Sequence, residues 1–373
     1  MSNAFRELLK KVGSGIHTGK DLSREEAATA TRMMLLQEAT PAQMGAFMIS
    51  HRIKRPTSEE LAGMLDAYDQ LGPKLQPWGE SLTASPAAQQ VVVFGIPYDG
   101  RSRTAPVTPL TALVLTTAGV PVVMHGGERM PTKYGVPLIE IWQGLGADFS
   151  KLALAQVDQV LKTTGLGFVY LPQHFPQAQE LVPYRDQIGK RPPTATLELI
   201  WSPYAGDAHI VAGYVHPPTE TRFRETFERR EVRTFTLVKG LEGSCDLPCD
   251  RTAIIAVSQP ESSDGFERLL LHPRDYGFAQ EEVPFESTPH LIEQMQKVLK
   301  GESCQFMSAA IWNSGFYLWR CGVCPDLPTG FSKAESLFTG GHVFQKLQDI
   351  SRAIASLENS TQESALNSGV KLS

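Results

Sequence analysis

Two groups of charged and polar residues, each just after a short apolar run, could do chemistry in this sequence. The run Val91-Val92-Val93-Phe94 ends at Gly95 and is followed by Asp99, Arg101, Arg103 and Thr108. The run from Val120 to Val123 is followed by His125, Arg129 and Lys133. Guanidinium and ammonium groups beside a hydroxyl suit the binding of anions, because Arg offers a planar fork of donors and Lys a compact charge. In open α/β sheets ligands sit beyond the carboxyl ends of strands, so these residues are expected to face one crevice. The alternative leaves the arginines as solvated loop charges.

Thiols offer a second chemistry. Cys245 and Cys249 stand in CDLPC, and Cys321 and Cys324 in CGVC, with Cys304 alone. Either pair could give two thiolates to zinc, but the pairs lie far apart in sequence, and small buried side chains are the simpler reading. An odd number of cysteines in a chain this long points to reduced thiols in a cytoplasmic compartment. Arg222, Arg224, Arg229, Arg230 and Arg233 alternate with Glu220, Glu225, Glu228 and Glu231. Mixed signs at that spacing predict an exposed, self-paired helix, not a nucleic-acid patch. His17, His51, His272, His290 and His342 read as ordinary surface or satisfied core histidines.

The elements that position these groups follow from periodicity. Phe5, Leu8, Leu9 and Val12 form one helical stripe. Ser23 with Glu26, Thr40 with Gln43 and Thr57 with Glu60 are three capping boxes, and Pro41 suits a first helical position. Residues 1–71 are therefore expected to form a small helical bundle. A connector, Gly72 to Pro86, leads to an α/β domain over 72–356, part of whose middle helices joins the bundle, and a flexible tail is expected over 357–373. A strand, an apolar helix (Thr111 to Ala118) and a second strand make a βαβ unit. Further strands are expected at Gly167–Leu171, Leu197–Trp201, Ile210–Val215, Thr234–Val238, Ala253–Val257 and Leu269–Leu271, with helices from Pro289 onward. The net charge of −5 in 373 residues gives no global attraction to nucleic acid. No leader or membrane span is legible, since the most apolar stretch, Leu110 to Met124, is short and broken by Pro121.

Three stretches resemble the anthranilate phosphoribosyltransferase family (glycosyltransferase family 3). DLSREEA…LLQEATPAQMGAFMISHRIKRPTSEELAGM is similar to its helical dimerisation domain, AGVPVVMHGGERMPTKYG to its strand and KHGNR-type loop, and LLLHPRDYGF…NSGFYLW to its closing segment. The resemblance implies a homodimer, with a nucleoside phosphorylase/phosphoribosyltransferase-like α/β domain. It also implies a cleft for phosphoribosyl pyrophosphate, Mg2+ and an aromatic acceptor. By that resemblance Gly95 to Asp99 stand where the family has GTGGD, although Pro97 lacks an N–H and Tyr98 enters positive φ at a cost. Pro106 to Pro109 stand for NIST, with Thr108 keeping a hydroxyl. Met124 to Glu128 stand for KHGNR, with His125 and Gly126 matching and Arg129 displaced by one. Cys245 and Asp246 stand for the magnesium-binding acidic pair, leaving Asp246 alone as a metal ligand. Arg191 falls on the acceptor-binding arginine, and His174 on a loop lining the same cleft.

RSRTAPVTPLTALVL resembles the KxxPNLTPLLALLL pattern of a divergent, YbiB-like branch associated with nucleic-acid binding. Two functions are thus expected. One is a divergent phosphoribosyl or glycosyl transferase with a degenerate phosphoribosyl pyrophosphate site. The other is a non-catalytic homodimer binding nucleic acid or another polyanion in a basic cleft built from Arg101, Arg103, Arg129, Lys133, Arg185, Lys190 and Arg191.

Overall fold

The computed structural model describes residues 3–15, 17–77, 90–259, 261–262 and 265–367, so the part of the expected connector from 78 to 86 lies outside the described residues. Four helices come first: α1 (Asn3–Gly13), α2 (Arg24–Leu35), α3 (Pro41–Lys54) and α4 (Ser58–Leu71). All three capping boxes form, with the hydroxyls of Ser23, Thr40 and Thr57 accepting from the amides of Glu26, Gln43 and Glu60. Phe5 and Val12 bury the stripe of α1, and Pro41 opens α3.

Glu60 does more than cap. Its side chain is fully buried and accepts from the amides of Thr57 (2.8 Å) and Leu22 (2.9 Å) and from Lys54 Nζ (2.8 Å). His51 Nε2 lies 3.1 Å away. One carboxylate therefore ties α3, α4 and the approach to α2 together.

After the bundle come β1 (Val91–Gly95), α5 (Thr108–Thr117), β2 (Val122–Gly126), α6 (Leu138–Gly144), α7 (Leu154–Thr164) and β3 (Leu166–Tyr170). Four helical pieces, α8 to α11 (Leu171–His174, Pro176–Gln179, Val182–Gln187 and Thr194–Leu197), precede β4 (Ala208–Gly213), α12 (Pro217–Arg229), β5 (Thr234–Val238), β6 (Ala253–Ser258) and β7 (Phe266–Leu271). The chain closes with α13 (Thr288–Leu299), α14 (Gln305–Arg320), α15 (Leu327–Thr339) and α16 (His342–Asn367).

The seven strands are ordered β3-β2-β1-β4-β5-β6-β7, with β1 to β5 parallel and β6 and β7 antiparallel. The chain leaves β1 toward β2 and β3, then returns to β4 on the other side. The switch point therefore lies between β1 and β4, and loops beyond their carboxyl ends meet there. One sheet face packs on α5, α7 and the C-terminal helices. The other shares a core with the bundle, one apolar cluster that holds Ile210, Ala212, Phe235 and Leu237 of the sheet with Phe47, Leu61 and Tyr68 of the helices. No helix among the described residues is long and apolar enough to cross a membrane.

Four expectations change. The strand expected at Leu197–Trp201 is absent, because the helical turn at Thr194–Leu197 runs on through turns. Leu197, Ile200 and Trp201 are all buried at i, i+3 and i+4, a helical spacing, and Pro192-Pro193 start the turn. The second strand reaches Gly126, so His125 belongs to β2 and not to the loop after it. Helix α12 and its C-cap are not simply self-paired: the C-cap Arg230 pairs with Asp66 and Asp69 of α4, and Arg229 donates to Ser58 Oγ at 3.2 Å. The expected tail begins inside α16, whose helical backbone continues to Asn367.

Burial would raise the Glu60 pKa, but His51, the Leu22 amide and Lys54 outweigh it and hold it at about 2. A carboxylate so depressed contributes stability above its ordinary pKa and loses that contribution as pH falls from about 4.5 toward 2. Glu60→Ala is expected to cost on the order of 3–5 kcal/mol in urea unfolding at pH 7. Glu60→Gln should flatten the acid limb of stability against pH, an effect that a merely space-filling Glu60 would not produce.

Candidate functional site

The site is built from three loops that follow β1, β2 and β5. Strand β1 ends at Gly95, where an added Cβ would stand 1.7 Å from the carbonyl oxygen of Leu199, so glycine here admits another backbone. The loop then turns at Gly100 (φ +74°), whose Cβ would fall 2.4 Å from Gly135. This close approach lets Arg101 and Val136 exchange two backbone hydrogen bonds (3.2 and 2.7 Å), joining the β1 loop to the β2 loop.

Arg101 is 2% exposed and spends its guanidinium inward. It donates to Asp246 Oδ2 (2.6 Å), Ser244 Oγ (2.8 Å), Thr104 Oγ1 (2.5 Å) and Glu242 Oε1 (3.4 Å). Asp246 also accepts from the Val107 amide (2.9 Å) and the Thr108 hydroxyl (2.6 Å). A buried arginine needs such partners, because an unpaired charge in a dry site costs several kcal/mol.

Glu242 is the second carboxylate. Its Oε1 accepts from the amides of Arg103 (3.0 Å) and Thr104 (2.9 Å) and from Thr104 Oγ1 (2.9 Å), while Oε2 accepts from the Ser102 amide (3.3 Å). Lys133 pairs with the same carboxylate, and Arg103 Nε stands 3.7 Å off. Three consecutive N–H groups converging on one acidic group form an anion nest. Glu242 reaches it from a left-handed backbone (φ 55°, ψ 22°) that non-glycine residues seldom adopt. Burial would raise its pKa, but Lys133, the Thr104 amide and Arg101 hold it well below the usual carboxylate range.

A magnesium ion does not fit these donors. Both oxygens of Asp246 are committed to Arg101, Val107 and Thr108. The neighbouring Cys245 thiol is buried, faces the carbonyls of Gly95 and Val211, and is pushed up by burial, so it stays a neutral thiol unsuited to a hard cation. No group of three or more His, Cys, Asp or Glu gathers for a metal among the described residues, and all five cysteines are free.

The space beside these loops is filled by side chains. Asp99 is buried and pairs with Arg191 Nε at 3.2 Å, and the Arg191 carbonyl accepts from Arg52 of α3 (2.6 Å). The Tyr98 hydroxyl bonds His125 Nδ1, and the His125 ring packs edge-on to Trp201. Burial lowers the His125 pKa to about 3, so the imidazole is neutral. Gly126 ends β2, where a Cβ would meet Phe168 at 3.6 Å. Behind this layer Arg185 pairs with the buried Glu198, whose pKa burial raises to about 6.

Of the residues expected to share a crevice, Arg101, Arg103, Thr108 and Lys133 come together around Glu242 and Asp246. Asp99 and Arg191 form a second pair beside them. Arg129 points away, with bidentate bonds to Glu140 of α6 (2.7 Å each). His174 is spent at the end of β3, with Nδ1 accepting from the Tyr170 amide (3.0 Å) and Nε2 against the Leu152 carbonyl (2.7 Å). The sequence reading missed Glu242 and Ser244. The usable signal was a lone acidic residue between glycines in GLEGS, where a tight loop can aim one carboxylate at the strand ends. It also expected an excess of positive charge here, whereas three cations face two internal carboxylates.

Asp246→Asn should therefore act on stability. It leaves the Arg101 guanidinium short of its main counter-charge, and urea unfolding should show a loss of about 3 kcal/mol. Millimolar magnesium should leave the unfolding midpoint of the unaltered chain in place, since only a bound ligand moves it.

Two family models match this chain: the helical bundle domain of a glycosyl transferase family over residues 6–72, and its a/b domain over residues 99–344. An uncharacterized protein of Aquifex aeolicus is 26% identical over 319 residues, 85% of this chain and 93% of that protein. The anthranilate phosphoribosyltransferase of Azorhizobium caulinodans is 26% identical over 356 residues, covering 95% and 97%. Among solved structures, the Thermus thermophilus anthranilate phosphoribosyltransferase superposes with a TM-score of 0.75 at 19% identity, covering 95% of this chain and all of that one. The Saccharomyces cerevisiae enzyme, in complex with PRPP and Mg, gives 0.78 at 14% identity, covering 95% and 99%. The three-loop site thus stands on the helical bundle and a/b domain of the glycosyl transferase family that includes the anthranilate phosphoribosyltransferases, and the chain belongs to that family.

Proposed function

We propose that this chain binds a phosphorylated sugar at the nest of Ser102, Arg103 and Thr104, without a metal ion, and that it does not transfer phosphoribosyl groups to anthranilate. The observation that carries the reading is the convergence of three amides, Lys133 and Arg103 on one anionic group. A diphosphate leaving from a sugar C1 needs its charge neutralised. Fixed amides and a lysine provide that neutralisation without the carboxylate pair that magnesium demands. The acceptor side argues against anthranilate, because Arg191 is tied to Asp99 and the Leu199 backbone, Tyr98 and His125 fill the neighbouring space. The polyanion reading has less support, since internal carboxylates meet the cations it would use.

Binding of phosphoribosyl pyrophosphate, followed by calorimetry, should be the same in magnesium and in EDTA. Lys133→Ala should weaken it at least about tenfold, equivalent to about 1.4 kcal/mol. Binding that requires magnesium, or that ignores Lys133, would contradict the proposal. An oligonucleotide that binds instead, with a log–log salt slope of several phosphates at about 0.7 each, would favour the polyanion reading.

The homodimer is proposed on the family resemblance and on Leu36 and Ile53, which lie exposed on the bundle. Sedimentation equilibrium at micromolar concentration should give twice the chain mass, and a monomer would remove the idea.

A further inference from the structure

We propose that Glu242 is an internal competitor for the anion nest, a carboxylate that occupies the phosphate position and decides which ligands enter. The inference rests on the phosphate-binding reading above and deepens it.

Three features single Glu242 out. First, the contacts are those of a ligand: both oxygens are engaged, by the amides of Ser102, Arg103 and Thr104, by the Thr104 hydroxyl and by Lys133. Second, the loop bends to deliver it. Glu242 sits at φ 55°, and Gly243 follows at φ +79°, so two successive left-handed residues turn the side chain into the nest. Third, the loop is anchored without it. The Leu241 amide donates to the Asp246 carbonyl (3.0 Å), Ser244 Oγ to the Leu241 carbonyl (2.7 Å), and Arg101 to Asp246. The side chain can therefore leave while its loop stays.

A tethered carboxylate competes at an effective concentration of about millimolar or more. A free anion must exceed that to enter, and a diphosphate does so through extra charge and extra acceptors. The glutamate thus screens out weak monoanions and lowers the affinity for phosphates without altering any residue that would hold them.

The test is titration of the full chain with inorganic pyrophosphate in EDTA, comparing the unaltered protein with Glu242→Gly and Glu242→Gln. Glycine suits the left-handed backbone, and glutamine keeps the size while losing the charge. Both variants should bind pyrophosphate at least about tenfold more tightly, and Lys133→Ala added to Glu242→Gly should abolish the gain. If Glu242→Gly fails to fold, by circular dichroism, the glutamine variant carries the comparison. Equal, measurable binding by all three proteins would overturn the competitor and leave the phosphate reading standing. No binding by any folded form at millimolar pyrophosphate would overturn that reading, and the competitor with it.

Discussion

Arg101 must find counter-charge inside the protein, and the arrangement of the cleft follows from that need. Its backbone is fixed by the pairing with Val136, so the guanidinium has only one region to explore, between the loops after β1 and β5. Asp246 answers it and, in doing so, also caps Val107 and Thr108 at the start of α5. Burial makes this pairing obligatory, since separating two dry charges costs more than either gained by meeting. Both oxygens of this carboxylate are engaged by protein donors, one by Thr108 and the other by Arg101 and Val107. The commitment of Asp246 and the rigid loop junction are thus two faces of one interaction.

The rest of the fold holds the two loops in register. Parallel strands β2, β1, β4 and β5 lie side by side, so the carboxyl ends of β1, β2 and β5 deliver the three loops to one edge of the sheet. The bundle is fastened to the α/β part through a shared apolar core, through Arg230, which pairs with Asp66, and through Arg24, which donates to the Arg229 carbonyl (3.1 Å). Arg52 reaches from α3 to the carbonyl of Arg191, so the segment that carries the Arg191–Asp99 pair is held partly by the helical domain.

Legibility in the sequence tracked the range of the physics involved. Helix starts are local, and Ser23, Thr40 and Thr57 declared themselves through the glutamate or glutamine three residues on. Buried parallel strands are short apolar runs, and seven of the eight expected strands lie within a few residues of their places. Leu197 to Trp201 misled because a short apolar run looks alike in strand and helix until its spacing is counted. The site was partly visible: Arg101, Arg103, Thr108 and Lys133 were expected to meet, and they do. What they meet was not visible, because Glu242 is about 110 to 140 residues from them in the chain and reaches them only through sheet order. Arg129 and His174 failed for the opposite reason, since each is satisfied by near neighbours, Glu140 and Tyr170, before it can face a cleft.

The central claim is that a protein carboxylate, and not solvent, fills the amide nest. Amide hydrogen exchange of the unliganded chain tests it most directly, residue by residue, at Ser102, Arg103 and Thr104. These amides lie in a loop where the Glu242 carboxylate is the acceptor of all three, while the neighbouring backbone bonds use the Ala105 amide and the Arg103 carbonyl, so slow exchange here reports on Glu242. The account predicts marked protection at all three, lost on Glu242→Gln, with the amides of β1 unchanged. Exchange at the rate of an open loop in the unaltered protein would contradict it.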